Sequence, residues 1–185
     1  APDSVSRAKY SASRERSIGV GALGFHAYLQ KVQVPFESAL AVSKNRSMFK
    51  HIREGLDHAN LELGRERGEA PDAQGTGRRF SHSVAIAPNA SSSIIMGNTS
   101  PSIEPYRANA YRQDTLSGAF LNKNRWLDKI IMEKCDGDPN LDYNEIWSSI
   151  IANDGSVQHL EFLSDWERDV FKTSMEIDQR WIVQH

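Results

Sequence analysis

The 185-residue sequence predicts a helix-rich α/β fold, and three features lead there. Helical periodicity dominates, most clearly over 36–67, where Met48, Ile52, Leu56, Ala59 and Leu63 recur in steps of four and three. A short apolar run at 84–87 is closed by Pro88 and followed by small polar residues, the pattern of a buried strand leading into a helix start. Apolar residues make up 39% and charged residues 25%, a globular composition in a chain long enough for one or two domains and a sizeable core.

In chain order, residues 1–15 are polar and rich in serine and arginine, which predicts an arm or loop ahead of one segment covering 16–185. Ile18, Ala22, Phe25 and Leu29 have helical spacing over 18–31, and Pro35 breaks the pattern. The long helix over 36–67 is stopped by Gly68. Residues 69–82 carry turn formers without periodicity and predict a loop. After the 84–87 strand, Ser91 to Met96 reads as a short helix ended by Gly97, and 97–113 as an irregular but packed stretch. Trp126, Ile130 and Ile131 mark a helix over 122–134. Asp142 with Glu145, and Ser164 with Glu167, are capping-box pairs that open two further helices. Val170, Ser174, Ile177 and Trp181 extend the last of these to the C-terminus without a stop signal, so the segment reads as truncated there.

Composition narrows the function. Twenty-two basic against 24 acidic residues give a net charge of −2, which argues against broad nucleic-acid binding. The basic run 44–46 and the pair Arg78 and Arg79 read as solvated surface. With a mean hydropathy of −0.54, no apolar run approaches the roughly 20 residues of a membrane helix, and no signal-peptide core opens the chain; both point to the cytoplasm. The single cysteine, Cys135, excludes an internal disulfide framework, and its flanking aspartates disfavour a thiolate. The six histidines show no metal-ligand spacing; His51 and His58 read as a surface face. Glu104, between apolar residues, reads as either a functional acid or a structural carboxylate.

Two motifs bear on ligands. Gly19, Gly21 and Gly24 match the dinucleotide fingerprint GxGxxG, which would make the chain a nucleotide-cofactor oxidoreductase; yet polar residues 14–17 stand where the fingerprint needs a strand. Glycines that let backbone pack closely are the alternative. The turn formed by Pro88, Asn89, Ala90, Ser91 and Ser92 combines hydroxyls with the amides of a helix start, the donor set a phosphate or diphosphate needs. Serine and asparagine are also good helix caps in their own right.

Around this turn the chain resembles the large (alpha) subunit of class I ribonucleotide reductase. Residues 87–92 are similar to that family's Pro-Thr-Ala-Ser-Thr substrate-phosphate loop, with Asn89 standing where Thr or Ser is usual. Gly97 and Asn98, followed by Ser102, Ile103, Glu104, Pro105 and Tyr106, resemble its Gly-Asn and Ser-Ile-Glu-Pro-Tyr segments. Residues 115–120 resemble Val-Leu-Ser-Gly-Glu-Phe, and residues 16–26 and 35–39 are also similar to family stretches.

The resemblance implies part, the second half, of a ten-stranded α/β barrel, and an oxidoreductase that replaces the ribose 2′-hydroxyl of a ribonucleotide by hydrogen through a thiyl radical. It implies that Pro88, Asn89, Ala90, Ser91 and Ser92 hold the diphosphate of a nucleoside diphosphate. The finger-loop Asn-x-Cys-x-Glu, the redox cysteine pair and the C-terminal tyrosine pair of the family are not found in the sequence. The segment would therefore carry no catalytic residue, bind no cofactor or metal, and act only with the remainder of the alpha subunit and a metal-containing beta subunit that generates the radical. The competing expectation is a non-catalytic helical module whose apolar faces bind a partner protein.

Overall fold

A computed structural model of the chain describes residues 3–115 and 118–185. Leu116 and Ser117, within the stretch compared with Val-Leu-Ser-Gly-Glu-Phe, lie outside the described residues. The elements are α1 (Ser6–Glu15), α2 (Phe25–Lys31), α3 (Ala39–Arg67), α4 (Ala90–Ile95), β1 (Ala110–Thr115), β2 (Gly118–Lys123), α5 (Arg125–Gly137), α6 (Tyr143–Ala152), α7 (Asp165–Val170) and α8 (Arg180–Gln184), with short 3-10 turns at Asp3–Val5 and Pro71–Ala73. They form two compact units, one of residues up to 22 together with 44–87, the other of 23–43 and 88–185.

In the first unit, α1 is a helix where an irregular arm was expected, because its arginine, lysine, alanine and glutamate residues are good helix formers despite the serines. None of its residues is buried. It is tied down by an Arg14–Asp72 ion pair and by Arg16, which donates to the Glu69 carbonyl at 2.8 Å. Residues 18–20 are extended, not helical as their spacing predicted. Ile18 N–H donates to His82 O (3.0 Å), Val20 N–H to Ser83 O (3.0 Å) and Ala85 N–H to Val20 O (3.2 Å), a short parallel pairing.

That pairing explains the glycine motif. A Cβ on Gly19 would lie 2.7 Å from the Ala85 Cβ, and one on Gly21 would lie 2.6 Å from the Ala85 carbonyl oxygen. The motif also follows helix α1 instead of a strand, so it lacks the context of a dinucleotide loop. The apolar run at 84–87 is extended but not buried, with Val84 40% and Ile86 71% exposed, since among the described residues only the 18–20 segment pairs with it. Met48, Ile52, Leu56, Ala59 and Leu63 do share the half-buried face of α3. On that face buried Asn60 accepts from Phe80 N–H (2.8 Å) and donates to Phe80 O (3.1 Å). His51 and His58 are exposed.

The second unit is built around α5, α6 and α7. Leu127 and Ile131, Ile146, Trp147 and Ile150, and Val170 with Phe171 form its core together with Val157, Leu160 and Leu163. Asn124, Asp142 and Ser164 cap these three helices with their side chains, and Ser164 with Glu167 forms the complete reciprocal box. β1 and β2 pair antiparallel, Ala110 opposite Lys123 and Asp114 opposite Ala119. The single C-terminal helix predicted over 164–185 is instead two. After Phe171, the Thr173 N–H and hydroxyl donate to the Glu176 carboxylate (2.7 and 2.9 Å), which displaces the helical acceptor. Asp178 N–H donates to Glu37 at 2.8 Å, drawing the chain away before α8. No helix among the described residues is long and apolar enough to cross a membrane.

Candidate functional site

The 88–92 turn leads into α4 within the second unit. Asn89, the residue before the helix, takes a left-handed conformation (φ 50°, ψ 28°), and its side chain makes no capping bond. Its carbonyl accepts from Ser93 N–H at 2.9 Å, closing the first helical turn. The amides of Ala90, Ser91 and Ser92 find no acceptor among the described residues. Ser91 and Ser92 are exposed; Ser93 is buried and donates its hydroxyl to Ala90 O at 2.7 Å. The turn therefore offers three unmet backbone donors and two outward hydroxyls at the positive end of a helix.

Other helix starts in the same unit are closed from within. At α2, Gly24 N–H donates to Ser100 O (2.8 Å), Phe25 N–H to Ser102 O (3.4 Å) and Ala27 N–H to the Ser100 hydroxyl (3.1 Å). At α3, the Ser38 hydroxyl accepts from Ala41 N–H at 3.1 Å. The start of α4 differs from these in leaving the amides of three exposed residues without an acceptor among the described residues.

The other end of α4 is held firmly. Gly97 and Asn98, both left-handed (φ 83° and 58°), turn the chain off the helix. Their amides bond back to Ile94 O at 3.2 and 3.1 Å. Tyr106 donates its hydroxyl to the Asn98 carbonyl (3.1 Å), Tyr111 donates to the Asn98 side-chain oxygen (2.5 Å), and Arg125 donates to the Gly97 carbonyl (2.5 Å). Burial pushes both tyrosine hydroxyls up, so they remain protonated donors at neutral pH. Tyr106 is fixed in turn by its backbone N–H, which donates to Nδ1 of His26 at 2.9 Å. His26 is fully buried and burial lowers its pKa to about 3, so the ring is neutral with the proton on Nε2. A cavity of about 710 Å³ borders α4, with Ala90, Ser93 and Ile94 on one side and Arg107, Tyr111 and Arg112 among its other walls.

Thus Pro88, Ala90, Ser91 and Ser92 are exposed and Asn89 is half-buried, all on one turn. Sequence reasoning took Asn98 and Tyr106 only as parts of a pattern and missed Tyr111 and Arg125, since nothing in their spacing announces a shared partner. Glu104 is exposed, so it is not a carboxylate in a packed setting. Burial first, then Asp142, Asp136 and Asp138, raise the Cys135 thiol, which disfavours the thiolate.

Comparison with known proteins decides the family. A model of the ribonucleotide reductase barrel domain matches residues 2–75 and 70–185. The chain belongs to the ribonucleotide reductase large-subunit family. It is 54% identical over 187 residues to the ribonucleoside-diphosphate reductase large subunit of Invertebrate iridescent virus 6, a match covering 100% of the chain and 19% of that protein. It is 55% identical over 183 residues to the corresponding subunit of Invertebrate iridescent virus 3, covering 99% of the chain and 29% of that protein. Among solved structures, the Actinobacillus ureae class Id ribonucleotide reductase alpha subunit superposes with a TM-score of 0.83 at 43% identity, over 95% of this chain and 31% of that one. The chain thus spans less than a third of the reductase subunits it matches, and its helix-rich fold is a portion of the reductase barrel.

Proposed function

We propose that this segment binds the diphosphate of a ribonucleoside diphosphate in a complete reductase subunit, through Pro88, Asn89, Ala90, Ser91 and Ser92. The observation that carries the reading is the start of α4, where three amides and two hydroxyls of exposed residues meet no acceptor among the described residues. Pro88 restricts the turn, the amides and the helix dipole favour an anion, and the hydroxyls add directional donors. Holding the phosphates at a distance orients the ribose for reaction, which is the positional part of catalysis.

The reaction at the ribose would belong to the remainder of the alpha subunit. The radical would come from a metal-containing beta subunit, with this segment binding no cofactor or metal. The setting would be the cytoplasm. The strongly exposed Ile86 (71%), Ile95 (82%) and Met96 (66%) support packing against that remainder.

In the complete large subunit, Ser91→Ala combined with Ser92→Ala should weaken substrate binding by about tenfold or more, as expected for lost hydrogen bonds to a charged group, and leave effector binding intact. Equilibrium binding of a nucleoside diphosphate measures it, and unchanged affinity would sink the assignment.

A further inference from the structure

The geometry points to Tyr106 and Tyr111, converging on Asn98, as positioning residues that set the orientation of α4 and so aim the donors at its opposite end. This rests on the phosphate reading of the 88–92 turn and adds what holds that turn in place. Two hydroxyls five residues apart, Tyr106 ahead of β1 and Tyr111 within it, meet one residue, one on its carbonyl and one on its side-chain oxygen. Asn98 is in the left-handed region, and its own N–H is already bonded to Ile94 O (3.1 Å). The hydroxyls therefore fix a helix end whose backbone is otherwise committed.

α4 has six residues, about 9 Å of helix, so it transmits a tilt at one end to the other as a rigid rod. The start of α4 has no side-chain cap of its own to correct such a tilt. Tyr106 is anchored from behind by buried His26, which makes it a fixed point. Neither hydroxyl is needed to fill space, because phenylalanine keeps the ring.

The test uses the complete large subunit with Tyr111→Phe, Tyr106→Phe and the double variant. Affinity is measured for a nucleoside diphosphate and for the same nucleoside without phosphate, alongside the melting temperature. The double variant should bind the diphosphate about three- to tenfold more weakly, with nucleoside affinity and melting temperature nearly unchanged. Asn98→Gly, which keeps the left-handed backbone and removes only the acceptor for Tyr111, should match Tyr111→Phe and add nothing to it in a double-mutant cycle. An equal loss for the phosphate-free nucleoside would make the role merely structural and overturn the proposal. So would unchanged diphosphate affinity in the tyrosine variants while the Ser91/Ser92 variant binds weakly, a result that leaves the phosphate reading standing. If the Ser91/Ser92 variant binds normally, the phosphate reading fails and takes this proposal with it.

Discussion

Asn124 offers a sharp test of what holds the second unit together, because one side chain does two separable jobs. Its oxygen accepts from Trp126 N–H (3.0 Å) and Leu127 N–H (3.5 Å), capping α5. Its amide donates to Gln30 Oε1 (2.8 Å) and Asn109 Oδ1 (2.9 Å), in a pocket where Gln30, Asn109 and Asn124 are all at most 5% exposed. Asn109 passes the connection on by donating to the carbonyls of Gly155 (3.0 Å) and Phe171 (2.7 Å). Removing the cap costs about 1 kcal/mol. Each carboxamide oxygen stranded without water costs about 1 kcal/mol or more, so Asn124→Ala should lose roughly 3 kcal/mol. Asn124→Asp separates the two roles. It keeps the acceptor and the cap, but it has no amide donors and sets a carboxylate against two oxygens. Urea unfolding followed by circular dichroism should find Asn124→Asp at least as unstable as Asn124→Ala. An Asp variant within about 0.5 kcal/mol of the parent would show that the cap alone matters and refute the network.

His26 should make stability depend on acid. Its folded pKa, about 3, lies below the ordinary value of 6.5, so the unfolded chain binds the extra proton between them. Its contribution is complete above pH 6.5 and falls by about 1.4 kcal/mol per pH unit toward pH 3. His26→Asn, whose oxygen can still accept the Tyr106 amide, should flatten that slope, and parallel pH profiles would contradict the assignment. Gly19→Ala and Gly21→Ala should each destabilise by about 1–3 kcal/mol through overpacking against Ala85. Ala85→Gly should rescue the first, which collides with a side chain, but not the second, which collides with a carbonyl oxygen. Rescue of both, or of neither, would mean the contact is misread.

The parts of this fold that were legible in the sequence are those where local chemistry decides. The face of α3, the caps at Asp142 and Ser164, and the short α4 ended by Gly97 all follow from spacing and capping within one segment. The failures have a common cause in partners distant along the chain. Helical spacing over 18–31 gave way at its start because 18–20 pair with 82–85. The last helix broke where Glu176 and Glu37 capture amides that a continuous helix would have used. β1 went unseen because its residues, Ala110 to Thr115, show no apolar alternation and its pairing partner β2 is exposed along most of its length. The 88–92 turn was visible as a donor-rich sequence, but Tyr111 and Arg125 were not, since only folding brings them to Asn98 and Gly97.

Whether a serine-rich helix start is a cap or a ligand site turns on a single backbone conformation. In the β region, Asn89 could have turned its oxygen onto the amides that follow and met them itself, as Asn124 does for α5. In the left-handed region it does not. The exposed amides then bond to water, so leaving them open costs little, and an anion has only to displace that water. The same residue type thus gives a closed helix at one place and an open one at another, a difference fixed by φ and ψ that no reading of side-chain identity contains. Asn89→Ser follows as a test, because serine favours the extended capping conformation and can bond the exposed amides. It should stabilise the start of α4 in hydrogen exchange while weakening diphosphate binding in the complete subunit. Tighter diphosphate binding on that substitution would mean that the left-handed turn is not what keeps the donors available.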